Sequence, residues 1–350
     1  MNQSKLAGAC IMTGFRGASL DDPQCRADIK LLKDLHIKGV ILFDQHLPSK
    51  GMRNIVNEDQ LRQLTDDLRN ELGDDLIIGI DQEGGEVNRL RLFQDNAVSE
   101  QLSSKMQGAM SQHQLAAIIK PVAEALSDAG INLNFAPCVD LEINPDNPII
   151  TSKDRSMGRD PQRVAQAAMT IVQTYHNQGV GCCIKHYPGH GSTTVDTHLG
   201  LADITETHES DETEVFSKLI LAMHSGTMPN TAIMSGHLFN KGVDQTHPAS
   251  LSHAHTSTTL RSKLRFDGLI FTDSLDMNAI ESKWNTGEAC ALAIHSGADI
   301  AVHGFNNLNE TDHPAAQMHR ALIELLEHMN QDAVERLGYM NRRRRQALLQ

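Results

Sequence analysis

Short apolar runs, rich in β-branched residues and closing on a polar or ionisable residue, recur eight times: ACIMTG (9–14), GVILFD (39–44), LIIGID (76–81), INLNFAPCVD (131–140), VGCCIKH (180–186), TAIMSGH (231–237), GLIFTDS (268–274) and ADIAVHG (298–304). Runs apolar throughout, rather than alternating, predict strands buried on both faces, as in a parallel sheet. Between most of them the period changes to that of a helix. Ile29, Leu32 and Leu35 share one side of 26–37, and Leu115, Ile118, Val122, Leu126 and Ala129 do so in 112–129, which Gly130 ends. Asp160 as N-cap and Pro161 at the first helical position start a helix over 160–178, and Gly179 stops it. Segments 211–224, 285–296 and 314–328 continue the rhythm. Eight strands alternating with helices predict an α/β fold, a single (β/α)8 TIM-type barrel, irregular strands included. A doubly wound open sheet is the alternative; it usually has fewer strands, and no GxGxxG follows the first one. No linker or low-complexity tract divides the chain, so residues 1–350 are expected to form one barrel domain, with 328–350 as a C-terminal helical extension.

Composition narrows the partners. A formal charge of -13 argues against a general nucleic-acid or anionic-membrane binder. The one strong basic run, Arg342 to Arg345, reads as a solvated last helical turn. No apolar run approaches membrane-spanning length, and the N-terminus lacks a hydrophobic signal core. The cysteines form no CxxC pair and lie mostly in apolar runs, so buried free thiols are expected. Together these predict a cytoplasmic protein, a monomer or weak homo-oligomer.

In a barrel of this kind the active site lies at the carboxyl ends of the strands. Those ends carry Asp44, Asp81, Asp140, Lys185 with His186, His237, Asp273 and His303. Asp44 and Asp140 could equally be loop anchors, and His237 and His303 satisfied structural histidines. Asp81 opens DQEGGEVNR, and Arg89 lies close enough to reach the same pocket; a carboxylate with a guanidinium is a common means of holding sugar hydroxyls. Asp273, in FTDSLDM, would point into the barrel mouth, whereas Asp276 reads as a cap on the following segment. After the fifth strand comes KHYPGHGSTTVDTH (185–198). A zinc reading would use His186, His190 and His198, perhaps with Asp196, but the spacing matches no HExxH pattern. A phosphate cradle would need GxxxxGK[ST], which is absent. The acid/base reading remains: Asp196 and His198 share one face of an extended loop, and the aspartate can fix the imidazole's tautomer. The loop's glycines read as hinges.

These residues resemble glycoside hydrolase family 3, and within it the single-domain bacterial β-N-acetylglucosaminidases of cell-wall recycling. The resemblance runs from GVILF through DQEGGEVNR, NPDNPIITSKDRSMG, IKHYPGHGSTTVDTHLGL and FTDSLDM. It implies that Asp273 is the nucleophile and that His198, paired with Asp196, is the acid/base. It implies that Asp81, Arg89, Arg155, Lys185 and His186 hold the sugar, with no metal and no cofactor. The implied activity is retaining, exo-acting removal of terminal β-N-acetylglucosamine from carbohydrates such as muropeptides, through a covalent glycosyl-enzyme. An imidazole, whose ordinary pKa is about 6.5, suits proton exchange at neutral pH. Four departures stand beside these positions: Glu86 where the family commonly has Arg after DQEGG, Ser192 where it has Asp after PGHG, TDSLDM for SDDLSM, and Met157 in place of Phe in RSFG. The alternatives are another family 3 β-glycosidase (a β-glucosidase or β-xylosidase), a β-N-acetylglucosaminide phosphorylase, and a non-catalytic sugar-binding barrel. An aryl-glycoside panel, a sugar 1-phosphate assay and binding without turnover separate them.

Overall fold

The computed structural model describes residues 2–197, 200–306 and 312–349. Eight parallel strands follow the predicted runs: β1 (Ile11–Thr13), β2 (Gly39–Leu42), β3 (Ile77–Ile80), β4 (Leu133–Asn134), β5 (Gly181–Tyr187), β6 (Ala232–Ser235), β7 (Ile270–Thr272) and β8 (Ala301–His303). Their order is β8–β1–β2–β3–β4–β5–β6–β7, and β7 meets β8 at the single bridge Phe271–Ile300, so the sheet is a barrel with one loosely joined seam. The fourth run yields only a two-residue strand because Pro137 cannot donate to the ladder; pairing with β5 resumes at Cys138 opposite Lys185. Burial on both faces of every strand accounts for the uniformly apolar runs.

The crossovers put helices outside. Pro161–His176 begins as predicted, with the Asp160 side chain accepting from the Gln162 and Arg163 amides and Pro161 at the first turn. Helices Pro23–Asp34, Gln112–Asp128, Ser210–His224, Thr286–Ser296 and Ala315–His328 fall within a few residues of expectation. A further helix, Glu58–Leu72, lies between β2 and β3, and a π-helix, Ala254–Lys263, crosses from β6 to β7. Inside the barrel Met12, Ile41, Ile77, Leu133, Phe135, Cys183, Met234, Phe271 and Val302 pack together, with Phe135 and Phe271 edge to face at 5.4 Å. This core leaves the polar ends of the strands to form the mouth. All six cysteines are buried free thiols, and burial pushes Cys10 up to about 12. Among the described residues no helix is long and apolar enough to cross a membrane.

The basic run near the C-terminus corrects the sequence reading. On helix Gln331–Leu349 Arg342 and Arg343 are exposed as expected, but Arg344 and Arg345 turn to the barrel floor. Arg345 is buried and donates to the carbonyls of Lys38 (2.6 Å) and Asp75 (3.0 Å), just ahead of β2 and β3. Arg344 pairs with Asp299 at 2.7 Å, ahead of β8, and Leu348 enters the barrel core. Its guanidinium spans both carbonyls and adds to the Ile77 amide–Lys38 carbonyl bond and the Lys38–Asp75 ion pair that already join these strand starts. Arg345→Ala is therefore expected to lower unfolding stability by about 2–4 kcal/mol while leaving the mouth unchanged; urea unfolding and a steady-state assay check the two halves of that statement.

Candidate active site

At the carboxyl ends of the strands lies a cavity of about 270 Å³. Asp81, Arg89, Arg155, Lys185, His186 and Asp273 all line it. They come from the ends of three strands, β3, β5 and β7, and from the loop after β4, so the barrel alone brings them together. Asp196 is half-buried and lies outside the lining; His198 lies outside the described residues.

The floor is an ionic network centred on Glu83, a residue the sequence reading passed over. Arg155 grips it with two parallel bonds of 2.9 Å, and Lys185 Nζ lies 2.7 Å from Glu83 Oε1 and 2.5 Å from Asp81 Oδ1. Burial alone would raise the Glu83 pKa, but the adjacent Arg155 and Lys185 charges overcome it and hold the carboxyl far below the usual carboxylate range. Burial would likewise lower Lys185, yet Asp81 and Glu83 hold its ammonium well above the ordinary lysine value. The network thus presents fixed charges to the cavity at any ordinary pH.

His186 is held from behind. Its Nδ1 lies 2.6 Å from Asp140 Oδ2, and Asp140 Oδ1 accepts from the backbone amides of His186 (3.1 Å) and His190 (2.7 Å). Burial acts to raise Asp140, but the His186 contact and these donors hold it well below its usual range. A carboxylate at Nδ1 assigns the proton to that nitrogen and turns Nε2 toward Arg155, 3.5 Å away. Asp140 is thus a positioning residue with no access to the cavity. Cys138 Sγ, Asp140 and His186 would also suit a metal by donor type, lying within 4.8 Å of one another. Here Sγ and Nδ1 both bond Asp140 Oδ2.

Asp44 serves Arg89 (3.5 Å) and Arg91 (3.4 Å), and Arg89 lies over the Phe43 ring at 5.7 Å. His237 bridges the Ser250 hydroxyl and the Ser274 carbonyl at 2.8 Å each, and His303 accepts from the Phe305 amide, so both are structural. Asp273 follows β7; its amide donates to the Ser235 carbonyl and its Oδ1 accepts from the Ser274 amide, both at 2.8 Å, which orients the carboxylate. Asp276 is not a helix cap. It lines the cavity and accepts from the Ser274 hydroxyl at 2.5 Å. The two residue types transposed in TDSLDM are thus hydrogen-bonded to each other. Glu86 likewise has a complement, Lys153 at 2.9 Å, and both line the cavity.

The loop after β5 borders the mouth, with His190 and Thr197 in the cavity lining and the Thr197 carbonyl accepting from the Ala279 amide at 3.3 Å. Its glycines are not hinges but points of close approach. A Cβ on Gly191 would sit 1.9 Å from the Leu141 carbonyl oxygen, and one on Gly189, at φ 134°, would sit 2.4 Å from Glu212 Cβ. Glu212 Oε1 accepts from the Ser192 amide at 3.0 Å, so an aspartate at 192 would bring a second carboxylate beside it. His190 is buried, and burial with the neighbouring His186 pushes it down to about 4, so it is neutral near pH 7. Its Nδ1 bonds Thr193 at 3.0 Å and its Nε2 bonds Thr197 at 3.3 Å, which occupies both nitrogens within the loop.

A parallel barrel whose mouth sets carboxylates against cations, with His190 and Thr197 of the loop after β5 in the lining, is compatible with a glycoside hydrolase. The comparisons agree. A model of the Glycosyl hydrolase family 3 N terminal domain matches residues 16–337, and the chain belongs to that family. The chain is 29% identical over 344 residues to Beta-hexosaminidase A of Pseudoalteromonas piscicida, covering 89% of this chain and 55% of that protein. It is 30% identical over 276 residues to Beta-hexosaminidase of Neisseria meningitidis serogroup B (strain ATCC BAA-335 / MC58), covering 77% of this chain and 72% of the other. Among solved structures, a glycoside hydrolase family 3 beta-N-acetylglucosaminidase from Paenibacillus sp. str. FPU-7 superposes with a TM-score of 0.83 at 28% identity, covering 99% of this chain and 63% of that one. The chain thus spans little more than half of the first of these relatives.

Proposed function

We propose that this protein is a retaining, exo-acting β-N-acetylglucosaminidase, a single catalytic domain over residues 1–350 that releases terminal β-linked N-acetylglucosamine from muropeptide-like fragments in the cytoplasm. The observation that carries this reading is the one cavity lined together by Asp273, Asp81, Arg89, Arg155, Lys185 and His186. Its 270 Å³ is below the roughly 300–1,000 Å³ of pockets for drug-sized ligands, which suits one sugar ring rather than a chain. In this reading Asp273 attacks the anomeric carbon as the aglycone oxygen leaves with a proton from His198. Water, deprotonated by the same imidazole, then releases the sugar. Asp196 steadies the imidazolium. Asp81, Lys185, Arg155, Arg89 and His186 bind the sugar's hydroxyl and amide groups, and their fixed positions need no reorganisation during the reaction. Hydrogen-bonding groups suffice for this, without cofactor or metal.

A panel of p-nitrophenyl glycosides tests the sugar assignment. The β-N-acetylglucosaminide is expected to be cleaved at least about tenfold faster in kcat/KM than the β-glucoside and β-xyloside, because pocket groups left unpaired without the acetamido group cost binding. Preference for either plain sugar would overturn the assignment in favour of another family 3 β-glycosidase.

A further inference from the structure

Asn147 lies fully buried between the loop after β4, which carries Arg155, and the loop after β5. Its Oδ1 accepts from the amides of Ile149 (3.0 Å) and Ile150 (2.7 Å). Its Nδ2 donates to the carbonyls of His190 (2.8 Å) and Gly191 (3.1 Å) and contacts Thr193 Oγ1 at 3.0 Å. On the first side the chain of contacts continues to the site: the Arg155 amide donates to the Ile150 carbonyl at 3.0 Å and its Nη1 to the Ile149 carbonyl at 3.1 Å. On the second side it runs from Thr193 through His190 to Thr197 at the cavity wall. The Asn147 amide therefore joins the two loops, beside Asn144, whose backbone amide and Nδ2 donate to the carbonyls of Gly191 (3.1 Å) and Thr193 (2.8 Å). Only a side chain with an acceptor at one oxygen and two hydrogens at one nitrogen satisfies this set; a carboxylate would face two carbonyls.

We infer that Asn147 is a positioning residue for proton delivery, fixing the base of the loop after β5 so that Thr197 is held at the cavity. The inference rests on the reading of that loop as the carrier of the acid/base. Arg155 keeps its own two-bond grip on Glu83, which anchors its guanidinium in the cavity when the Asn147 bonds to Ile149 and Ile150 are removed. The balance of the step is unchanged: the aglycone oxygen still takes its proton as the glycosidic bond breaks, and what is lost is the placement of the donor.

The test compares kcat/KM, which reports cleavage of the first bond, for two substrates. One is the phenyl β-N-acetylglucosaminide, whose leaving group needs the proton; the other is the 2,4-dinitrophenyl glycoside, whose leaving group does not. For Asn147→Ala the phenyl substrate is expected to fall about 10- to 100-fold and the dinitrophenyl substrate less than about threefold, since only the general-acid contribution is lost. Binding of free N-acetylglucosamine by calorimetry should stay within about twofold of wild type. Thr193→Val, which removes the hydroxyl's contacts to Asn147 and His190 but leaves both carbonyl bonds of Asn147, should show the same ordering with a smaller loss; it decides the question if the alanine variant does not fold. Equal losses on both substrates, no loss on either, or weakened sugar binding would overturn the inference. A wild-type protein inactive on both glycosides would instead overturn the underlying assignment, and this inference with it.

Discussion

Asp273→Ala is expected to lower kcat/KM for an aryl β-N-acetylglucosaminide by roughly 10⁴-fold or more, about 5 kcal/mol or more of barrier. The carboxylate is aimed by the Ser274 amide on Oδ1, and its backbone is tied to the Ser235 carbonyl, so little is left to relax into its place. The loss should be chemical rather than structural, because Asp273 is half-buried and its backbone bond survives the change. Added azide, small enough for the space left by the carboxylate, is expected to restore part of the turnover on the dinitrophenyl substrate. The product would be the α-glycosyl azide, since a single displacement inverts the anomeric centre. Near-wild-type turnover of the alanine variant would contradict the nucleophile assignment and direct attention to Asp276, the other carboxylate that Ser274 touches in the same lining.

Glu83→Gln carries the second large effect, on stability first and activity with it. The substitution keeps the shape and removes the anion between two buried cations, leaving Arg155 without its carboxylate and Lys185 with Asp81 alone. Breaking a buried ion network on one side costs about 3–5 kcal/mol, and urea unfolding at neutral pH measures it. The pH dependence has a definite sign. Glu83 and Asp140 are both held below their usual values in the folded protein, while the unfolded chain titrates near about 4.3 and 3.9. Their contribution is therefore fully present above about pH 5 and is lost as the pH falls below 4. The variant should be less stable than wild type at neutral pH and lose less on acidification. A variant as stable as wild type at pH 7 would contradict the role of Glu83 at the centre of the floor.

Much of this was legible in the chain for one physical reason. Strands buried on both faces leave uniformly apolar runs, and the first polar residue after each run must be at the mouth; Asp81, Lys185, His186 and Asp273 were found that way. What escaped reading was pairing across long sequence separation. Nothing near Glu83 announces Arg155, 72 residues away, and nothing in NPDNP announces that Asn147 bonds His190 and Thr193 on another loop. Arg344 and Arg345 misled for the same reason, since a basic turn looks solvated until the groups at the barrel floor are brought under it. Gly189 and Gly191 looked like hinges because a glycine needed for close packing and one needed for motion are identical in sequence. Helix Glu58–Leu72 was not among the expected helices, though its signal is in the chain: Leu61, Leu64, Leu68 and Leu72 recur at helical spacing and are buried. Pro137 explains the shortened fourth strand, which its apolar residues alone overstate.

The most direct test of the central claim, two displacements through Asp273, is the configuration of the sugar at the moment of release. Proton NMR of the anomeric signal, followed from the first seconds of hydrolysis of an aryl β-N-acetylglucosaminide, should show β-N-acetylglucosamine appearing first and the α anomer growing in only by mutarotation. If the α anomer appears first, a single displacement by water has occurred, and the covalent role of Asp273 is wrong.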